Sequence, residues 1–253
     1  EVALKKELLS WKQIHESIRY VVDRQEKVYC IYGPAGCGKT HNVCSIASQL
    51  IKETNVYLCF GIQFNKNKGG IIAEIRKIFN FENENYLEEL QKKAEKDAVN
   101  IGARRYVFII DALNEGLDDA YWCESLGVLK AEFDKYPNLA LVVTVRKPFH
   151  EKYELNRWGY RMQHLPGLEN SQDVLNKYFE AYHIDYDKNL SGFKNGLFLN
   201  IFCETYASMP YYDRKWLRSL GGLYRQYIYM RERAVAEAVD EDLEQNITWH
   251  YLC

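Results

Sequence analysis

The chain has 253 residues, of which 47% are hydrophobic and 27% charged, and its formal net charge is -2. This composition excludes a disordered chain, and the near-neutral balance excludes a global positive field that would attract nucleic acid. The length accommodates one α/β domain with a smaller companion, and no apolar stretch is long enough to cross a bilayer.

Alternating strand and helix patterns fill the first two thirds of the chain. In chain order we predict a helix over 1–22, a strand at 27–32, a helix at 41–53, a strand at 55–60, helices at 71–79 and 85–99, a strand at 105–111, a helix at 119–136 and strands at 139–145 and 161–165. Residues 106–110 are apolar on both faces, which is typical of a central parallel strand. The alternation favours right-handed crossovers, so we predict a three-layer α/β/α sandwich with about five parallel strands.

The last third of the chain carries helical patterns, at 171–183, 193–207, 213–237 and 240–252. Pro166-Gly167 lies where the alternating strand and helix patterns give way to helical patterns alone. This dipeptide commonly interrupts regular structure. We therefore predict an α/β domain over 1–165, followed by a small all-helical domain over 166–253.

The cysteines indicate a cytoplasmic protein with reduced thiols. There are seven, an odd number without a paired metal-ligand spacing. Cys30, Cys37 and Cys44 are evenly spaced, but they fall on a predicted strand, a loop and a helix, so we predict no metal site there. No basic and apolar leader precedes the first helical pattern, which agrees with a cytoplasmic location.

Residues 33–40 match the phosphate-binding pattern G-x-x-x-x-G-K-[ST], with a strand before it and a helix after it. Glycines let backbone N–H groups surround phosphate oxygens, and the helix N-terminus adds partial positive charge. We therefore predict that this loop binds the phosphates of ATP or ADP. The contacting residues are Gly33, Pro34, Ala35, Gly36, Cys37, Gly38, Lys39, Thr40 and His41.

A phosphate loop of this kind also needs a magnesium site and a group that orients the attacking water. Lys39 is predicted to neutralise the β- and γ-phosphates, and Thr40 to ligate Mg²⁺ together with Asp111, which ends an apolar strand. Glu115, four residues further on, is the predicted general base. The alternatives are that Asp111 caps the following turn and that Glu115 is a solvated loop acid.

Arg146 directly follows the apolar strand at 139–145, so we expect it at the carboxyl edge of the sheet, where ligands bind in α/β folds. A guanidinium there could stabilise charge on the γ-phosphate. The alternative is an ordinary surface arginine. Arg104, Arg105 and Lys147 are too few to predict a nucleic-acid site.

Three segments make the chain resemble the STAND NTPases, in particular the NACHT-like branch and the bacterial AVAST antiphage sensors. They are Gly-Pro-Ala-Gly-Cys-Gly-Lys-Thr at 33–40, Ile-Asp-Ala-Leu-Asn-Glu-Gly at 110–116 and Val-Thr-Val-Arg at 143–146. Segments 165–168, 195–204 and 223–228 extend the resemblance into the helical part. Gly196 departs from the family, whose members usually carry a proline there that packs near the nucleotide base.

The resemblance implies a slow or regulated ATPase within a larger multidomain chain, with its effector and sensor domains outside these residues. It further implies an autoinhibited ADP-bound monomer that exchanges to ATP and self-associates when a sensor recognises an invader. Two alternatives remain open, namely an AAA+-like ATPase acting on DNA and a nucleotide-binding scaffold with negligible turnover.

Overall fold

The computed structural model describes residues 16, 18, 19, 27–65, 69–101, 105–116, 118–167, 172–184, 196–209 and 220–239. Contacts divide the chain into two units, with the break between Gly167 and Leu168. The predicted helix at 240–252 and most of the predicted helix at 1–22 lie outside the described residues. No helix in the described part of the chain is both long and apolar enough to cross a membrane.

The first unit is built on a five-stranded sheet in which every pairing is parallel and the strand order is β2-β3-β4-β1-β5. The strands are β1 Val28–Gly33, β2 Val56–Phe60, β3 Tyr106–Asp111, β4 Leu139–Arg146 and β5 Arg161–His164. Because all five run in one direction, their carboxyl ends share one edge of the sheet. The predicted α/β class with a parallel sheet of about five strands is confirmed.

Helices cover both faces of this sheet. They are α1 Lys39–Leu50, α2 Gly70–Ile78, α3 Tyr86–Ile101, α4 Asp119–Asp134 and α5 Lys147–Lys152. Val43 and Ile46 of α1 pack against Val107 and Ile109 on one face of the sheet. Helices α2, α3 and α4 contribute to the core on the other face. The three-layer arrangement follows from strands that are apolar on both sides, since each face must be covered.

Helix α5 was not predicted from the sequence. It has six residues, too few for a helical period to be recognised, and Pro148 lies in its first turn, where a proline is tolerated. His150 of this helix is buried, and its ring stacks on Tyr32 with 4.0 Å between ring centroids.

The second unit is helical in its described part, with α6 Gln172–Ala181, α7 Gly196–Ser208 and α8 Leu220–Val239. Its core contains Phe179, Leu199 and Leu223. An ion pair joins two of these helices: Arg231 of α8 lies 2.6 Å from Glu204 of α7. These elements overlap the predicted helices at 171–183, 193–207 and 213–237.

Candidate nucleotide site

The predicted phosphate loop connects the carboxyl end of β1 to the first turn of α1. Gly36 and Gly38 have φ angles of 70° and 89°, in the left-handed region that favours glycine. A Cβ on Gly33 would lie 2.2 Å from the carbonyl oxygen of Leu165. The Asn42 side chain donates a hydrogen bond of 2.9 Å to the Gly38 carbonyl. Backbone conformation and close packing therefore require glycine at three positions, and Asn42 fixes the junction with the helix.

Lys39 reaches back across the loop that precedes it. Its Nζ donates hydrogen bonds to the carbonyl oxygens of Gly33, at 3.0 Å, and Pro34, at 2.8 Å. The same ammonium lies 3.7 Å from Cys37 Sγ. Burial raises the pKa of the Cys37 thiol, and the Lys39 charge opposes this shift. The loop thus holds a positive charge beside a thiol that stays neutral near pH 7.

Thr40 and Asp111 meet although they are 71 residues apart in sequence. Thr40 Oγ1 donates to Asp111 Oδ2 at 2.6 Å, and Asp111 is only 1% exposed at the end of β3. The other carboxylate oxygen, Oδ1, accepts a hydrogen bond from Thr144 Oγ1 of β4. A hydroxyl and a carboxylate oxygen are ligands that suit Mg²⁺, so the side chains present fit that ion.

Glu115 and Arg146 contact each other at the same edge of the sheet. Arg146 Nη2 lies 2.9 Å from Glu115 Oε1, and the two side chains are 45% and 50% exposed. The backbone N–H of Arg146 also donates to Asn114 Oδ1 at 3.0 Å. The predicted base and the predicted γ-phosphate arginine therefore form one ion pair, which leaves Glu115 Oε2 outside that contact.

The turn that carries Glu115 is held by a close approach of two backbones. A Cβ on Gly116 would lie 2.0 Å from the Gly61 carbonyl oxygen, and one on Gly61 would lie 2.3 Å from the Ala112 carbonyl oxygen. Ala112 has a φ of 56°, which is uncommon for a residue with a side chain. These contacts fix the path of residues 112–116 after β3.

The structure brings the main predicted site residues to the carboxyl ends of β1, β3 and β4: Lys39, Thr40, Asp111, Glu115 and Arg146. Pro34, Ala35 and His41 are exposed in the loop or the first turn of α1. The roles assigned to all these residues stay predictions.

The sequence predicts no role for Thr144 or Asn42, whereas Asn114 is expected as a neutral neighbour of Glu115. A signal existed for Thr144, since it is the single polar residue in the otherwise apolar strand segment 139–145.

No family model matches the sequence, and no curated protein gives a significant match. A Walker-type ATPase of Pyrococcus abyssi resembles the chain in structure, with a TM-score of 0.52 and 13% identity over 91% of this chain and 73% of that one. Cdc6p from Pyrobaculum aerophilum gives a TM-score of 0.45 and 12% identity over 91% of this chain and 62% of that one. The first of these likenesses shows the fold, which is that of Walker-type P-loop ATPases.

Proposed function

We propose that this chain binds and hydrolyses ATP and serves as the nucleotide-operated switch of a STAND/NACHT-like signalling protein. One observation carries the proposal. The hydroxyl that follows the phosphate-loop lysine, on Thr40, lies 2.6 Å from the buried carboxylate of Asp111. A hydroxyl and a carboxylate meeting beside a glycine-rich loop is the arrangement that P-loop NTPases use for magnesium and nucleotide phosphates.

Lys39 neutralises the charge of the β- and γ-phosphates. Its ammonium group now donates to the neutral carbonyl oxygens of Gly33 and Pro34. Hydrogen bonds from an ammonium to charged phosphate oxygens are stronger than those to carbonyls, so Lys39 exchanges partners when phosphate binds. The left-handed glycines meanwhile direct backbone N–H groups toward the same oxygens.

Thr40 and Asp111 are the residues that would hold Mg²⁺, with the hydroxyl of one and the carboxylate of the other. When bound, Mg²⁺ supplies charge neutralisation on the transferred phosphoryl group. Asp111 is buried, whereas Thr40 is exposed at the start of α1, so the carboxylate provides the fixed half of this site.

Glu115 accepts the proton of the attacking water, and Arg146 stabilises charge on the γ-phosphate. Their ion pair supports slow or regulated turnover, because the guanidinium competes with water for the carboxylate. A γ-phosphate that attracts Arg146 weakens this pair and leaves Glu115 available for the water. Hydrolysis and phosphate sensing are thereby linked through one contact.

The proposed biological setting rests on the resemblance of segments 33–40, 110–116 and 143–146 to the antiphage sensors. In that setting the chain acts in the cytoplasm as the ATPase module of a larger protein, self-associates in its ATP state and activates an effector domain. The helical second unit is consistent with such a module, in which a helical domain follows the nucleotide-binding domain.

Two variants test the proposal. Lys39→Ala is expected to abolish ATP binding, measured by equilibrium dialysis, and stoichiometric binding by this variant contradicts the site itself. Glu115→Gln is expected to retain binding and lose hydrolysis. An unchanged slow rate in Glu115→Gln favours the scaffold alternative, in which ATP is held for assembly.

Two further measurements test the switch. The mass of the purified protein in solution, with ADP and with ATP, is expected to increase in ATP. Turnover that DNA stimulates with a steep dependence on salt favours the AAA+-like alternative instead.

A further inference from the structure

Thr144 lies near the end of β4 with a hydroxyl group that the strand itself does not need. The residue is fully buried, and its neighbours Val142, Val143 and Val145 are all fully buried and apolar. In the sheet it is paired with Ile31 of β1. Valine would occupy this strand position with no polar group to satisfy, so the buried hydroxyl calls for an explanation from its contacts.

The Thr144 hydroxyl makes two hydrogen bonds, and their directions are fixed by chemistry. Oγ1 accepts from the backbone N–H of Ala112 at 2.9 Å, because an amide can only donate. Its single proton therefore goes to Oδ1 of Asp111, a carboxylate that accepts. The hydroxyl thus ties the Asp111 side chain to the backbone of the next residue.

These contacts fix the orientation of the Asp111 carboxylate relative to the phosphate loop. With Oδ1 held by Thr144, Oδ2 lies 2.6 Å from Thr40 Oγ1. The terminal torsion of an aspartate is broad, so the carboxylate would otherwise be free to turn. Thr144 also holds the N–H of Ala112, whose carbonyl accepts from the Glu115 N–H at 2.9 Å.

We propose that Thr144 is a positioning residue that orients Asp111 for magnesium and fixes the turn leading to Glu115. The inference rests on the proposed function, since it assumes that Asp111 and Thr40 form the magnesium site. Partners that orient a metal ligand commonly change metal affinity by about 10- to 100-fold when they are removed. Thr144 is assigned that effect through its hydrogen bond to Asp111, not through a contact of its own with nucleotide or metal.

The test compares magnesium-dependent nucleotide binding in matched variants. Affinity for a fluorescent ATP analogue is measured in magnesium and in EDTA, with thermal unfolding as a check of the fold. Magnesium increases the affinity of the wild type for the analogue by some factor, and in Thr144→Val this factor is expected to be about tenfold smaller. The affinity of Thr144→Val in EDTA is expected to equal that of the wild type. Thr144→Ser keeps the hydroxyl and is expected to retain the full magnesium effect.

Val142→Ala is the matched control, because Val142 is equally buried on the same strand and belongs to the core on the α1 face. It is expected to unfold at a lower temperature while keeping the magnesium effect. Combining Thr144→Val with Asp111→Asn tests the route of action, because a residue that acts through Asp111 adds no further loss once that carboxylate is gone.

The outcomes separate the inference from the function on which it rests. Wild-type protein that binds the analogue equally with magnesium and with EDTA overturns both. A normal magnesium effect in wild type and in Thr144→Val overturns the inference alone, as does additive loss in the double variant. Should Thr144→Val fail to fold, Thr144→Ala, which also removes the hydroxyl, decides: a reduced magnesium effect supports the inference, and a full effect overturns it.

Discussion

Replacing Arg146 with alanine should separate stability from catalysis. The Arg146–Glu115 ion pair has a short distance of 2.9 Å, but the two side chains are 45% and 50% exposed. Ion pairs this exposed contribute about 0.2–1 kcal/mol to folding. The hydrogen bond from the Arg146 N–H to Asn114 involves the backbone and survives the substitution. The free energy of unfolding should therefore fall by less than about 1 kcal/mol.

The effect on hydrolysis should be far larger. An arginine that stabilises charge on the γ-phosphate is worth about 10³-fold or more in turnover. A thousandfold loss corresponds to about 4 kcal/mol of transition-state stabilisation, several times the largest folding effect expected from the ion pair. The two quantities are measured by urea unfolding and by single-turnover hydrolysis of radiolabelled ATP in excess protein.

Arg157→Ala is the matched control, because Arg157 forms an ion pair with Glu154 at 2.7 Å and the two side chains are 72% and 51% exposed. Arg157→Ala should lower the free energy of unfolding by as small an amount as Arg146→Ala does, and it should leave the rate of hydrolysis unchanged. The reasoning is refuted if Arg146→Ala hydrolyses ATP at the wild-type rate, or if its lost activity is matched by unfolding of the protein under assay conditions.

Gly33→Ala should lower the free energy of unfolding in urea by about 1–3 kcal/mol, because the new Cβ would lie 2.2 Å from the Leu165 backbone oxygen. Gly221→Ala, where a Cβ meets nothing within 4 Å in helix α8, should instead stabilise by up to about 1 kcal/mol, and a loss there contradicts the packing argument. Since burial raises the pKa of the Cys37 thiol, alkylation followed by mass spectrometry should be slow at pH 7, faster as pH rises and blocked by bound ATP. Removing magnesium with EDTA should stop ATP hydrolysis while leaving the thermal unfolding temperature without nucleotide unchanged.

The fold was predictable because its strands are continuous apolar runs with clear ends. The strand predicted at 105–111 is observed as Tyr106–Asp111, and that predicted at 139–145 as Leu139–Arg146. Burial on both faces selects such runs strongly, and their parallel pairing follows from the helices between them. The short helix α5 could not be predicted, because six residues are too few to show the helical period of apolar side chains.

The candidate site was only partly accessible from the sequence. The phosphate loop is local, so its pattern is visible in consecutive residues, and strand ends predicted that Asp111 and Arg146 would share one sheet edge. Side-chain partners are set by three-dimensional packing. The pairing of Arg146 with Glu115 and the bond from Thr144 to Asp111 each link residues more than 30 positions apart, and no local pattern specifies them.

The sheet order has a consequence for how this protein is made. Strand β1 carries the phosphate loop, yet its two neighbours are β4 and β5, with Val28 beside Leu141 and Tyr29 beside Arg161. Both partners leave the ribosome more than one hundred residues after β1, a delay of roughly 6–27 seconds at ordinary rates of synthesis. During that interval β1 lacks both of its strand partners, so the nascent chain exposes this apolar strand to chaperones and to aggregation. The loop that follows β1 therefore acquires its final surroundings only after β4 and β5 have been synthesised.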